Sequence, residues 1–270
     1  MNINMDTRQQ INMIGGGCQH SVSTSGFEPL YVTWVKGNHT APISFYIDYA
    51  LKTSSNPNTE NYGWLHESKT INVGLYEWCA ENVEFLKNNF KKVFTHDASL
   101  PNISDIFVLH PTGKSFIEHA VLYPKTKLVS MIASNKRMCP DHTFRHNMIA
   151  KFAGKCDHFG RGFNEIADKV DGLKDYCFSF AMENGTYPNM VSEKITDCFM
   201  TGTIPIFYGI PNIGDFFNTD GIITLDENFK IEDLSFELYN SKLDAVKDNL
   251  KRAVDILVAE DYIYLNFIKK

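Results

Sequence analysis

The polar groups best suited to chemistry in this chain gather in the loop ENGTYPN and the turn after it: Glu183, Asn184, Tyr187, Asn189, Ser192, Glu193 and Lys194. The run SEKITDCFMTG that follows reads as a helix stopping at Gly202, with Ile195, Cys198 and Phe199 at helical spacing. A helix N-terminus offers free N–H groups and roughly half a positive charge, so a lysine in its first turn is misplaced unless an anion lies nearby. The arrangement points to a bound phosphate or diphosphate, with a solvated surface lysine as the alternative. Upstream, Ser134, Asn135, Lys136 and Arg137 follow the apolar run LVSMIAS, and Arg145 falls in the first turn of the next helix. A diphosphate leaving group needs such cations, and no acid is then required to protonate it. Lys136 and Arg137 fit separate surface charges equally well.

Glu67 closes the apolar stretch WLHES, where a carboxylate can accept the proton of an attacking hydroxyl. His66 is an alternative base, but neighbours on a strand point to opposite faces, so only one of the two can face a substrate. Cys139, His142 and His146, with Cys156 or His158, have zinc-compatible spacings but lack a second paired half, which makes the signal weak. No Asp-x-Asp occurs, which argues against a diphosphate held through a carboxylate-bound cation and leaves the expectation of no metal.

These residues need strands and helices to hold them in place. YCFSFAM and TIPIFYG flank the loop and helix as strands, giving a βαβ unit of about 30 residues between strands, whose ligands collect beyond the carboxyl ends of its strands. In order, strands are expected at 29–35, 62–68, 91–97, 105–111, 127–134, in CDHFGRG and at 221–227, with an aromatic and aliphatic run, ISFYIDYAL, after the first of them. Helices are expected at 75–90, 143–155 and in EIADKVDGLKDY, and over most of 234–268. Residues 1–27 read as irregular, 28–125 as a first α/β lobe, 126–235 as a second, and 236–270 as a helical end. Two such halves imply a cleft, with a donor on one side and an acceptor on the other.

Hydrophobic residues make up 43% and charged residues 21% of the chain, values that allow a full core. Acidic side chains outnumber basic ones 32 to 26, for a net charge of −6, and no block of Lys or Arg forms. An extended nucleic-acid or anionic-membrane face is thereby disfavoured. The six cysteines at 18, 79, 139, 156, 177 and 198 have no regular spacing, so a reducing compartment is favoured over a disulfide framework. The N-terminal residues lack a signal-peptide pattern and no apolar run reaches membrane-spanning length. The expectation is a cytoplasmic protein without a transmembrane segment.

The stretch FSFAMENGTYPNMVSEKITDCFMTGTIPIFYGIPNI resembles the donor-binding signature of the family 10 glycosyltransferases, the α1,3/α1,4-fucosyltransferases: an FEN triplet, a short loop, YVTEK and a GxxPIxxG strand. The likeness extends upstream through the SN of IASNKR, the helix with Arg145, the FGRG turn and WLHES, covering roughly residues 60–220. It implies an α/β fold of GT-B type, two Rossmann-like lobes facing a cleft, and inverting transfer of L-fucose from GDP-fucose to a glycan hydroxyl without an obligatory metal cofactor. Carried over by position, Glu67 is the general base, Arg145 and Lys194 neutralise the diphosphate, Glu193 binds ribose or fucose hydroxyls, and Ser134 and Asn184 line the donor pocket beside Asn135. The family tyrosine before VTEK is Met190 here, so its donor contact is lost or supplied by Tyr187. FEN has become MEN, TEK has become SEK and ESP has become ESK. A related transferase using another nucleotide sugar, or a catalytically silent glycan- or nucleotide-binding protein, are the alternatives.

Overall fold

The computed structural model describes residues 8–15, 28–37, 40–110, 113–137 and 140–269. They form two compact α/β units, each with its own parallel sheet.

The first unit is Met1–Thr112 with Pro188–Met190 and Leu257–Lys270. Its strands are β1 (Gln9–Ile14), β2 (Val32–Lys36), β3 (Ile43–Ile47), β4 (Glu60–Trp64), β5 (Val93–Thr95) and β6 (Phe107–Leu109), in the order β2-β1-β3-β4-β5-β6. All pairings are parallel, and β1 lies between β2 and β3, with Ile11 opposite Trp34 on one side and Ile43 on the other. Residues 9–14 therefore correct the reading of 1–27 as irregular; residues 1–7 and 16–27 lie outside the described residues. QQINMI hides its strand because a buried Asn12 sits between Ile11 and Met13, its amide 3.4 Å from Ser44 Oγ. The helix expected over 75–90 is two, α1 (Leu75–Glu81) and α2 (Val83–Asn89). The break is at Asn82, which leaves helical dihedrals (φ −114°, ψ 37°) while its side-chain amide bonds the Trp78 carbonyl at 2.8 Å.

The second unit is Gly113–Tyr187 with Val191–Ile256, so the observed division falls near 112 rather than 125. Its strands β7 (Lys127–Ile132), β8 (Asp157–Phe159), β9 (Tyr176–Met182), β10 (Ile204–Tyr208) and β11 (Ile223–Thr224) take the order β11-β10-β9-β7-β8, again all parallel. Every residue of β9 is buried, as a central strand covered on both faces requires. Helices α3 (Pro140–Lys151), α4 (Glu193–Met200), α5 (Phe236–Ser241) and α6 (Leu243–Asp255) belong to this unit. Tyr239 and Val246 join the core of Phe178, Phe180, Ile204 and Ile206.

The helical end does not stay together. Helix α7 (Ala259–Ile263) and a π-turn at Tyr264–Ile268 belong to the first unit, where Ala259 and Ile263 pack with Ile11, Phe45 and Trp64. The helix expected in EIADKVDGLKDY is a single 3₁₀ turn, Lys169–Gly172, because the Asp168 side chain caps Val170 N and Ser130 Oγ takes the Gly172 carbonyl at 2.7 Å.

The second sheet has the doubly wound order 2-1-3-4-5 and the first extends it by one strand to 2-1-3-4-5-6; both reverse direction between their first and third strands. At that reversal the connections leave to opposite faces and open a crevice at the carboxyl ends. In the second unit the crevice falls between β7 and β9, and in the first between β1 and β3.

Candidate active site

A cavity of about 250 Å³ occupies the β7–β9 crevice of the second unit. Ile132, Ala133 and Ser134 line it from the end of β7, Phe180 and Met182 from β9, and Glu193 and Lys194 from the start of α4. Four cations, Arg145, Arg161, Lys169 and Lys194, line it against two carboxylates, Glu193 and Asp197.

Helix α4 starts where the sequence implies. Ser192 caps it in extended conformation, its Oγ accepting from Lys194 N at 3.3 Å. The same hydroxyl donates to Glu183, 2.6 Å from either carboxylate oxygen, and Lys194 Nζ lies 3.0 Å from Glu183 Oε2. Glu183 follows β9 directly and its side chain is only 1% exposed. The anion that Lys194 answers to is therefore first a carboxylate of the chain itself. Burial disfavours the lysine's charge, but Glu183 and Glu193 more than offset this and raise its pKa.

Glu193 and Asp197 share Lys169, whose Nζ is 3.5 Å from Glu193 Oε1 and 2.6 Å from Asp197 Oδ2 and stands 4.3 Å from the centre of the Phe116 ring. Asp197 also accepts from Ser115 Oγ at 2.6 Å and Phe116 N at 2.7 Å, which locks it in place. Burial raises the Asp197 pKa against the pull of Lys169. Burial likewise works against the charge of Glu193, yet Lys194 and Lys169 hold its pKa down at about 2. Glu193 thus stays a carboxylate with acceptor capacity for hydroxyls at the cavity wall.

Arg145 is buried on α3, and its Nη2 donates to the carbonyls of Ser134 at 3.4 Å and Lys136 at 3.3 Å. The loop after β7 is thereby tied to the guanidinium. Gly160, in the turn after β8, completes that wall. Its φ is 126°, and a Cβ there would stand 2.2 Å from the Ala133 carbonyl oxygen, so only glycine lets the two turns meet. Arg161, next in this turn, is exposed and makes no side-chain hydrogen bond or ion pair among the described residues.

Of the residues singled out from sequence, Ser134, Arg145, Glu193 and Lys194 line the cavity and Asn135, Asn184 and Tyr187 do not. Asn135 is exposed, its N–H bonded to the Arg161 carbonyl at 3.0 Å. Asn184 is half-buried with its side chain hydrogen-bonded to His142, and Tyr187 is half-buried in the loop before α4. Sequence reading passed over Arg161 and Lys169, the first as part of a turn and the second as a residue of a helix that does not form. It missed Asp197 because nothing marks it among the apolar residues of α4. Among the described residues no group of three or more His, Cys, Asp or Glu could hold a metal; Cys139 lies outside them. His142 bonds Asn184, and His146 Nε2 is 3.1 Å from the Lys136 carbonyl.

Glu67 belongs to the first unit. Strand β4 ends at Trp64, so residues 65–68 are irregular and the strand pleat does not separate His66 from Glu67 as expected. The main chain of Glu67 is nonetheless fixed: its N–H reaches Asp48 Oδ1 at 3.2 Å and its carbonyl accepts from Tyr76 Oη at 2.7 Å. Its half-buried carboxylate makes no hydrogen bond or ion pair among the described residues. Behind it, His96 is buried, its Nε2 3.4 Å from Tyr76 Oη; burial, only partly offset by Asp97, pulls its pKa down to about 4.

Among the described residues no helix is long and apolar enough to cross a membrane. Residues 122–251 match the family described as glycosyltransferase family 10 (fucosyltransferase) C-term. A putative fucosyltransferase-like protein of Arabidopsis thaliana is 38% identical over 65 residues, 23% of this chain and 13% of that protein. The α-(1,3)-fucosyltransferase FucT of Helicobacter pylori is 30% identical over 112 residues, 39% of this chain and 22% of the relative. The chain thus matches less than a quarter of the length of either relative. Crystal structures of an α1,3-fucosyltransferase, one of them with GDP, share the fold at a TM-score of 0.53 and 15% identity. They cover 94% and 92% of this chain and 84% of theirs, and make its two-sheet α/β architecture one of GT-B type. The strand–loop–helix–strand that builds the cavity lies wholly within residues 122–251, the stretch of this chain that matches glycosyltransferase family 10 (fucosyltransferase) C-term.

Proposed function

We propose that this chain transfers L-fucose from GDP-fucose to a hydroxyl of a glycan, with inversion at the anomeric carbon. The observation that carries the reading is the convergence of Arg145, Lys169 and Lys194 on one cavity beside a capped helix start at the sheet's switch point. Cations and N–H groups fixed before the reaction stabilise the charge that develops on a departing diphosphate. Kinship supports the choice of donor, since the matched family carries fucosyltransferase in its description and a solved structure of like fold holds GDP.

In this reading the second unit takes the donor. Arg145 and Lys194 neutralise the diphosphate, Glu193 accepts from ribose or fucose hydroxyls, and Ser134, Asn135, Asn184 and Tyr187 complete the donor site. No metal is obligatory, because side-chain cations do its work. The first unit takes the acceptor, and Glu67 removes the proton of the hydroxyl that attacks the sugar carbon as GDP leaves. Free thiols at Cys79, Cys156, Cys177 and Cys198 support a reducing, cytoplasmic setting.

The test has two arms. GDP at about 100 times its Kd stabilises the fold by about 2.7 kcal/mol, a shift in melting temperature that UDP and dTDP do not match. A larger effect of UDP or dTDP would assign another nucleotide sugar. Glu67→Gln lowers GDP release from GDP-fucose by about 10²–10⁴-fold and leaves GDP binding intact. Wild-type release from Glu67→Gln would remove Glu67 from the base role, and GDP binding by a wild-type chain that never turns GDP-fucose over would make it a silent binding protein.

A further inference from the structure

Asp48 is one of two non-glycine residues with positive φ among the described residues, at 51°. A side chain in that region is strained, and such strain persists only where neighbouring contacts hold it. The residue stands one position past the end of β3, and Ile47 pairs with Trp64, so the chains leaving β3 and β4 run side by side from there. From this position Asp48 Oδ1 accepts two consecutive amides of the neighbouring chain, His66 N at 2.8 Å and Glu67 N at 3.2 Å. Tyr76 Oη bonds the Glu67 carbonyl from the other side at 2.7 Å. Beyond Trp64 that segment is irregular, and this clamp stands where the strand pairing has ended.

We propose that Asp48 is a positioning residue for Glu67: its carboxylate fixes the two peptide groups that flank His66, the second of which carries the Glu67 N–H, and so restricts where the Glu67 carboxylate can reach. A proton acceptor must lie within hydrogen-bond distance of one particular hydroxyl, and an irregular segment does not supply that restriction unaided. The strained backbone of Asp48 follows from the same requirement, since it turns Oδ1 across to the adjacent chain. The inference rests on the reading of Glu67 as the base.

Two substitutions separate geometry from charge. Asp48→Gly keeps the left-handed backbone without strain and removes the acceptor; Asp48→Asn keeps an acceptor oxygen in place. In GDP release from GDP-fucose, with water as acceptor, Asp48→Gly is expected to lower kcat by about 10- to 100-fold while the donor KM and GDP affinity stay within about twofold. Asp48→Asn is expected to retain most of the wild-type kcat. Tyr76→Phe, which loosens the carbonyl side of the clamp without changing shape, repeats the kcat loss to a smaller extent and serves if Asp48→Gly does not fold. Wild-type kcat in Asp48→Gly or Tyr76→Phe, or a loss carried by donor KM, overturns the inference while leaving the Glu67 reading intact. Full activity of Glu67→Gln overturns both.

Discussion

Lys194→Met removes an ammonium 3.0 Å from Glu183, a carboxylate whose side chain is 1% exposed. Taking one partner from a buried ion pair costs about 3–5 kcal/mol, because the other charge is left without compensation. Two features put this case at the lower end. Ser192 Oγ still donates to Glu183 at 2.6 Å, and Lys194 itself is 25% exposed. A loss of about 3 kcal/mol in a domain of this size lowers the melting temperature by roughly 6–12 °C, read by scanning calorimetry. Lys194→Met/Glu183→Gln removes the stranded charge and is expected to recover at least half of that shift. Nucleotide binding responds differently. Both the single and the double variant lose a charge-assisted contact to diphosphate, weakening GDP by roughly 10- to 150-fold by titration calorimetry. A single variant that melts within about 2 °C of wild type, or a double variant no better than the single, would refute the account of Glu183 as the resting counter-ion. Unchanged GDP affinity would instead refute Lys194 as a diphosphate contact.

Two further outcomes follow from the geometry. Gly160→Ala must place a Cβ 2.2 Å from the Ala133 carbonyl oxygen at a φ of 126°; it is expected to destabilise the second unit by about 2–3 kcal/mol in chemical denaturation and to weaken GDP binding, since the β7 and β8 turns move apart. His96, whose pKa falls from 6.5 to about 4 on folding, binds its proton more readily in the unfolded chain. Its contribution is complete above pH 6.5, declines as pH falls and is lost by about pH 4, roughly 3 kcal/mol in all; His96→Gln should flatten the stability profile of the first unit across that window, and an unaltered profile would contradict it.

The unit from β9 to β10 was legible because its two strands are short apolar runs, its helix has a cap and a stop, and the loop between is broken by Gly and Pro. Strand β1 was not, since it buries a polar Asn12 whose amide nitrogen finds its partner in Ser44, a residue from another strand. The lost helix at 165–176 shows the same limit: Asp168 and Ser130 satisfy backbone groups that the pattern assigned to helical turns. At the candidate site, the misplaced lysine at the start of α4 was a correct electrostatic signal, but its resting partner is Glu183, eleven residues earlier. Lys169 and Arg161 reach the cavity through turns, whose direction no periodicity encodes. Glu67 stood out as a carboxylate closing an apolar run, yet the group that steadies its backbone, Asp48, comes from the turn just past β3.

The first sheet is covered in part by α7 and the π-turn, and Asp261 accepts from Leu30 N at 2.9 Å and Tyr31 N at 3.1 Å. Ribosomal synthesis at about 5–20 residues per second separates Thr112 from Leu257 by roughly 7–30 s. During that interval the strands of the earlier unit wait with apolar surface bare, whereas the later unit has all its pieces by Ile256. The second-made half can therefore mature first, and a chaperone bound during translation should be found on the half made earlier.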